Sequence, residues 1–201
     1  MKKLIIIGAG GHGKVCAEIA QDMEKWDEIC FLDDAFPTIK ECLGLSVLGV
    51  VDNIELYKDY DFFVAIGNNK LRSKYIDLIL INKKNLVTLI HPTAYISRYA
   101  MIGLGTSIHQ FSVVNTESKI GIGCIINTGS IIEHEIIIGD FVHISPNVSI
   151  GGQCRIGQNT WVGIGTTILN NKYITENVVL GGHSLVIKNI DNSGIYKGLI
   201  K

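Results

Sequence analysis

The chain has 201 residues and is sparing with the residues that mark special classes of protein: 3 prolines, 2 tryptophans and 7 % aromatics. Such low proline excludes a proline-rich linker or low-complexity segment. Charge of either sign is scarce as well, with 18 Lys+Arg against 19 Asp+Glu and a formal net charge of −1. Without a concentrated basic surface, nucleic acid is excluded as the main partner, because phosphate neutralisation needs clustered cations. No apolar run approaches the ~20 residues that span a bilayer, so no membrane span is expected. The opening KKLIIIGAG combines a basic start with a short apolar run, but it meets glycines at once and lacks a cleavage site of small residues. It reads as a strand and not as a secretory signal. The cysteines (Cys16, Cys30, Cys42, Cys124, Cys154) are odd in number, scattered, and contain no CxxC pair. That pattern excludes a disulfide framework and a zinc site and predicts reduced thiols in a cytoplasmic protein with no metal.

What is present is a 47 % apolar chain, rich enough for a substantial core. Its two halves follow different patterns. Residues 1–89 alternate strand and helix signals: KLIIIGAG ends in glycines, VCAEIAQDM has helical spacing, EICFLDD and DFFVAIGNN read as strands, and LRSKYIDLILINK reads as a helix. Strand, glycine turn, helix, strand is the signature of a parallel βαβ unit, here a Rossmann-like half-domain.

From residue 90 the period becomes six. Ile90, Ile96, Ile102, Ile108, Val114, Ile120, Ile126, Ile132, Ile138, Ile144, Ile150, Ile156, Val162, Ile168, Ile174, Leu180 and Val186 follow without a phase slip. Two residues before these aliphatics stand small or β-branched residues, such as Thr106, Ser118, Cys124, Ser130, Cys154 and Thr166, with Lys172 the clear exception. A six-residue period fits neither an amphipathic helix nor a plain strand. It fits a parallel β-helix, in which each hexapeptide supplies a short strand and a bend. Residues 90–201 are therefore expected to form such a prism, and three hexapeptides complete one coil.

The motif Gly8-Ala9-Gly10-Gly11-His12-Gly13 matches G-x-G-x-x-G after a strand and before a helix, where backbone N–H groups favour a phosphate. The next strand ends at Asp33-Asp34, about where a ribose-binding acid stands in a dinucleotide fold. A nicotinamide-dependent oxidoreductase is thus an open reading. The space before the repeat is too short for a full dinucleotide domain with a substrate domain, and a half-domain holding one nucleotide fits better. A tight glycine turn without any ligand is the remaining alternative.

The two halves together resemble a known family. GAGGHGKV, FLDD, AIGNNKLR and IHPTAYIS, leading into IINTGSIIEHEIIIGDFVHIS, are similar to the sialic-acid O-acetyltransferase type of sugar acyltransferases, closest to those that acetylate a UDP-linked 4-amino sugar. The resemblance runs over nearly the whole chain. It implies left-handed coiling, assembly as a homotrimer, acetyl-CoA as acyl donor, and transfer to the amine of a 4-amino-4,6-dideoxy sugar on UDP. It also implies that Gly10, Gly11, His12, Asp33, Asp34 and Gly67 bind the nucleotide sugar. The C-terminus departs from the family, since many relatives end in a G-x-P-A-K segment and this chain ends Tyr196-Lys197-Gly198-Leu199-Ile200-Lys201.

The six-residue phase then places the histidines. His134 falls at a corner and His143 points outward from a later face. Gly152, one coil after His134, lies above it at the same corner. His134 is expected to act as general base, Glu135 to fix its imidazole and raise its basicity, with Glu133 in reserve, and the Gly152 N–H to stabilise the oxyanion. Gly163, Ile164, Gly181 and Gly182 fall at the corner following the His143 face and would hold acetyl-CoA together with His143. Within one prism His134 and His143 cannot touch, so a site using both is built between subunits. Cys124 and Cys154 occupy the inward small-residue phase and read as packing, which disfavours a covalent thiol route. His91 and His183 receive no role, His109 is expected to be an exposed turn residue, and Asn68-Asn69-Lys70 reads as a loop and helix cap. The competing readings are acetylation of a GDP-linked amino sugar, of a sialic acid hydroxyl, or a non-catalytic nucleotide-binding β-helix scaffold.

Overall fold

A computed structural model describes residues 1–201. The chain divides into two compact units, Met1–His91 and Pro92–Lys201.

The first unit opens with strand β1 (Lys3–Ile7), helix α1 (Gly11–Asp22) and strand β2 (Glu28–Leu32). A short hairpin of β3 (Glu41–Cys42) and β4 (Leu45–Ser46) and a 3₁₀ turn over Val51–Leu56 follow. Strand β5 (Asp61–Val64), helix α2 (Asn69–Ile81) and strand β6 (Asn85–Leu86) complete the βαβ pattern. The sheet order is β2-β1-β5-β6, all parallel. Strand β1 lies inside the sheet, and Leu4 to Ile7 are fully buried. This accounts for an unbroken apolar run where a half-exposed strand would alternate. Gly13 is required because α1 starts so close to β1 that a β-carbon there would collide with the Gly8 carbonyl oxygen. Gly8 itself has φ +101°, a conformation that favours glycine. The segment between Asp33 and Asp61, which carried no strong sequence signal, turns at Leu43-Gly44 with φ 54° and 73°.

The second unit is a parallel β-solenoid of about six turns with three faces. The first face contains Ser107–Ile108, Ile125–Ile126, His143–Ile144 and Trp161–Val162, each in register with the strand 18 residues on. The second face contains Val113–Val114, Ile131–Ile132 and Ser149–Ile150, and the third Lys119–Ile120, Ile137–Ile138 and Arg155–Ile156. The aliphatic at each sixth position is the inward one: Ile108, Val114, Ile126, Ile132, Ile144 and Val162 are fully buried. The expected period-six prism is what forms.

The small inward residues also satisfy the buried corners. Ser112 Oγ donates to the Asn127 carbonyl at 2.9 Å, Ser118 Oγ to Glu133 at 2.6 Å and Thr166 Oγ1 to Gly181 at 3.1 Å, each 15 residues ahead. Cys124 and Cys154 take the same role, donating through Sγ to Gly139 O and Leu169 O, each at 3.1 Å. A carbonyl buried without a donor costs roughly 1–3 kcal/mol, so at these corners the inward residue supplies a donor as well as a small volume, while Ile136, Val142, Val148 and Val178 fill the same phase with apolar side chains. The C-terminus, despite its unusual sequence, continues the coil: Leu199–Ile200 pairs with Leu185–Val186, and Ile200 is buried.

Candidate active site

In the second unit the corner after Ile131–Ile132 carries Glu133, His134 and Glu135. Below it, Ser118 Oγ donates to the Glu133 carbonyl at 2.6 Å and accepts from the Ile136 N–H at 3.1 Å, which fixes both ends of the corner. Glu135 has φ 58°, so the chain bends sharply after His134 and its side chain turns back to the imidazole. His134 Nδ1 stands 3.0 Å from Glu135 Oε2. Gln153 Nε2 donates to the same Oε2 at 3.2 Å. The carboxylate is thus held from the next coil while it orients the ring. Glu133 points elsewhere and accepts from Asn115 Nδ2 at 3.1 Å. Of the two flanking acids, Glu135 partners the histidine.

Nδ1 donating to Glu135 leaves Nε2 as the acceptor nitrogen. The ring lies on Gly152: a β-carbon at that residue would be 2.5 Å from Nε2 and 2.6 Å from Cε1. Neighbouring bonds lock the stacked corners, with Gln153 N–H donating to His134 O at 3.0 Å and Asn171 N–H to Gly152 O at 2.9 Å. His134 is half-exposed, at 47 % for its side chain, so a substrate can reach it.

On the first face His143 points outward and stacks on Trp161, with ring centroids 5.7 Å apart and planes at 12°. Trp161 Nε1 donates to Ser145 Oγ at 2.9 Å, which pins the indole. His143, Trp161, Ile164, Leu180, Gly181 and Gly182 line a groove of about 370 Å³, to which Gly163 also contributes. All five residues expected to hold acetyl-CoA therefore meet in one groove with a mostly apolar wall. Trp161 was not anticipated, although it stands one coil beyond His143 in the outward phase and the period alone places it there.

In the first unit, the six residues expected to bind the nucleotide sugar share one cavity of about 390 Å³: Gly10, Gly11, His12, Asp33, Asp34 and Gly67. Helix α1 begins at Gly11 with no side chain capping its first turn, and Gly11 and His12 of that turn line the cavity, where a helix start favours an anion. The two acids are already engaged. Asp33 accepts from the Ala9 and Ala35 N–H groups at 2.7 and 2.8 Å, tying the glycine turn to β2. Asp34 accepts from the Val51 N–H at 3.0 Å and from Tyr75 Oη at 2.6 Å. That bond, followed by burial, pushes the Tyr75 phenol up to about 12. Tyr75 lines the cavity and went unnoticed in the sequence, since its helical phase only marked it as buried. Asn68 is a helix cap as expected, accepting from the Leu71 N–H at 3.0 Å.

One expectation fails. His109 is buried, not exposed, and its Nε2 lies 3.1 Å from Ser107 Oγ. Its ring folds back along its own strand, a choice that the hexapeptide phase does not encode. His91 is likewise buried, 2.9 Å from Asp22 Oδ2 at the end of α1. His183 stands at a corner with φ 54° and covers Gly165. The five thiols are buried. Burial pushes the Cys16 and Cys154 thiols up, and the Cys30 thiol to about 11. None is poised as a nucleophile.

A β-solenoid with a histidine corner and an apolar groove, preceded by a nucleotide-type half-domain, defines a class: the hexapeptide acyltransferases that act on sugars. Comparison with known proteins narrows it. Residues 3–79 match the model of the PglD N-terminal domain. The chain is 37 % identical over 109 residues to UDP-N-acetylbacillosamine N-acetyltransferase of Bacillus subtilis, a stretch that takes in 53 % of this chain and half (50 %) of that enzyme's length. It is 30 % identical to GDP-perosamine N-acetyltransferase of Escherichia coli over 81 % of this chain and 76 % of that enzyme. Among solved structures, the acetyltransferase domain of PglB from Neisseria gonorrhoeae in complex with acetyl coenzyme A superposes with a TM-score of 0.95 at 33 % identity, covering 98 % of this chain and 96 % of that one. PerB from Caulobacter crescentus in complex with CoA and GDP-perosamine gives a TM-score of 0.93 at 27 % identity, covering 98 % and 95 %. The chain belongs to the hexapeptide-repeat sugar N-acetyltransferases, left-handed β-helix enzymes whose acyl donor is acetyl-CoA.

Proposed function

We propose that this enzyme transfers the acetyl group of acetyl-CoA to the 4-amino group of a UDP-linked 4-amino-4,6-dideoxy sugar, with His134 as general base. The observation that carries the reading is the held histidine: Nδ1 bonded to Glu135 at 3.0 Å, Nε2 left as acceptor, and the ring seated on Gly152. The neutral amine attacks the thioester carbonyl, forming the C–N bond. His134 Nε2 takes the proton that the nitrogen sheds. The resulting imidazolium is paired with Glu135. Collapse of the tetrahedral intermediate breaks the C–S bond, and the proton passes to the departing CoA thiolate. Gly152 N–H is assigned to the oxyanion, a role that backbone donors fill well in a water-poor site. No thiol intermediate is needed, in line with the burial of all five cysteines.

His143 and Trp161 are assigned to acetyl-CoA, with Gly163, Ile164, Gly181 and Gly182 as the narrow wall beside them. The His134 corner and the His143 face lie apart on one prism, so the working site draws the two from neighbouring subunits of a homotrimer. The nucleotide part is assigned to the front cavity, with its phosphates at the α1 N-terminus. UDP is preferred because the 37 % identical relative is a UDP-N-acetylbacillosamine N-acetyltransferase. A GDP-linked amino sugar is the second reading, favoured by the longer alignment to the perosamine enzyme.

The test is thiol release from acetyl-CoA with three acceptors, UDP-4-amino-4,6-dideoxy-N-acetylglucosamine, GDP-perosamine and free sialic acid, for the wild type and His134→Ala. Turnover of the UDP sugar that drops by about 10²–10⁴ in the mutant is expected. Turnover of GDP-perosamine alone would replace the acceptor and keep the mechanism. An undiminished His134→Ala would remove His134 as base.

A further inference from the structure

The core-facing stripe of α2 holds Ile76 and Ile79, both fully buried, and one turn before them, in the same stripe, it holds an arginine. Arg72 is completely buried, the largest side chain in the interior of the protein. Taking a guanidinium out of water costs several kcal/mol, and an apolar residue of similar volume would serve packing better. Its hydrogen bonds give a reason for its presence. Nη1 donates to the carbonyls of Ile66 at 2.8 Å and Gly67 at 3.1 Å, and Nη2 donates to Asn69 Oδ1 at 2.8 Å. Ile66 and Gly67 form the wall of the front cavity that follows β5, and Leu71 and Tyr75 of α2 continue that wall. One planar fork thus spans the turn from β5 into α2 and fixes the backbone that faces the ligand space. A lysine cannot reproduce this, because its ammonium is a point donor on a flexible stem.

We propose that Arg72 is a positioning residue for the nucleotide of the sugar substrate: it holds the Ile66–Gly67 wall in its binding shape and touches no substrate itself. Arg72 sets affinity for the nucleotide and leaves the acetyl-CoA groove unaffected. This rests on the front cavity being the nucleotide site, and the test separates the two ideas.

The experiment measures UDP and GDP affinity by titration calorimetry, and separate KM values for nucleotide sugar and acetyl-CoA, in the wild type, Arg72→Met, Arg72→Lys and Asn69→Ala. Melting temperatures are followed alongside. For Arg72→Met the expected result is nucleotide affinity weakened by about tenfold or more, with acetyl-CoA KM within about twofold of wild type, since loss of pre-formed geometry is felt where the geometry is used. Arg72→Lys should fall between, and Asn69→Ala should show a smaller loss of the same kind. If Arg72→Met does not fold, the lysine and Asn69 variants carry the decision. Unchanged nucleotide affinity in folded variants, or equal rises in both KM values, would overturn the proposal and leave Arg72 a stability residue. A wild type that binds neither UDP nor GDP would overturn the front-cavity reading itself, and the role of Arg72 with it.

Discussion

The imidazole of His134 rests on the α-carbon of Gly152 with no space for a side chain between them, a β-carbon there falling 2.5 Å from Nε2. The contact joins residues one coil apart, and the ring's position depends on it as well as on the Glu135 bond. Gly152→Ala should therefore displace the imidazole. The ring is a half-exposed side chain that can swing away, so the fold should tolerate the change. We expect kcat to fall by about a hundredfold, the loss typical of a catalytic group misplaced by ~1 Å, with little change in melting temperature. In the His134→Ala background the same substitution should cost little more, and a double-mutant cycle checks this non-additivity.

The two acids beside His134 should behave differently. Glu135 accepts from Nδ1 at 3.0 Å, whereas Glu133 accepts from Asn115. Glu135→Gln should lower kcat by about tenfold or more through loss of the charged orienting partner, and Glu133→Gln by less. Steady-state kinetics on the two single variants decide it; a larger effect at Glu133 would reverse the assignment.

Trp161 stacks on His143 over the groove. Trp161→Ala should raise the KM for acetyl-CoA by roughly 2–10-fold, the scale of a lost aromatic stacking contact, and leave the KM for the nucleotide sugar unchanged. Equal changes in both would argue against this groove as the acetyl-CoA site.

The Tyr75–Asp34 bond makes an alkaline prediction. The phenol is raised to about 12, first by the hydrogen bond to Asp34 and then by burial. A raised folded-state pKa means that the contribution is fully present below the ordinary tyrosine value of about 10 and is lost as pH rises towards 12. The stability gap between wild type and Tyr75→Phe should be constant from pH 7 to about 9.5 and close above it. Urea melts at several pH values measure this, and a gap that widens with pH would contradict the assigned donor.

Cys124 and Cys154 act as inward donors to corner carbonyls at 3.1 Å. Cys124→Ser and Cys154→Ser should keep both activity and fold, since serine supplies the same donor elsewhere in the repeat. Cys154→Val should destabilise by roughly 1–3 kcal/mol by leaving the Leu169 carbonyl unsatisfied. Loss of activity in the serine variants with the fold intact would point instead to chemistry at sulfur.

The period of six from Ile90 to Val186 determined the solenoid, because a residue's inward or outward phase is set by its position along a regular path. The same phase carried His134 to a corner, stacked Gly152 upon it, and grouped Gly163, Ile164, Gly181 and Gly182 beside His143. The glycine motif and the Asp33-Asp34 pair similarly anticipated the lining of the front cavity, since strand ends and helix starts meet at one edge of a parallel sheet. What phase does not carry is the direction of a side chain after it leaves the backbone. Glu135 and not Glu133 partners the imidazole because positive φ at residue 135 turns it back. His109 folds onto Ser107 and is buried where an exposed turn residue was expected. Tyr75 and Arg72 lie in the buried stripe of α2, and only the packed structure shows that one reaches Asp34 and the other the Ile66 and Gly67 carbonyls. The backbone path and the phase of every repeat are local and periodic, and so were legible in the order of residues. The pairing of polar atoms was decided by tertiary structure alone, because hydrogen bonds depend on ångström distances between segments that the chain brings together only when folded.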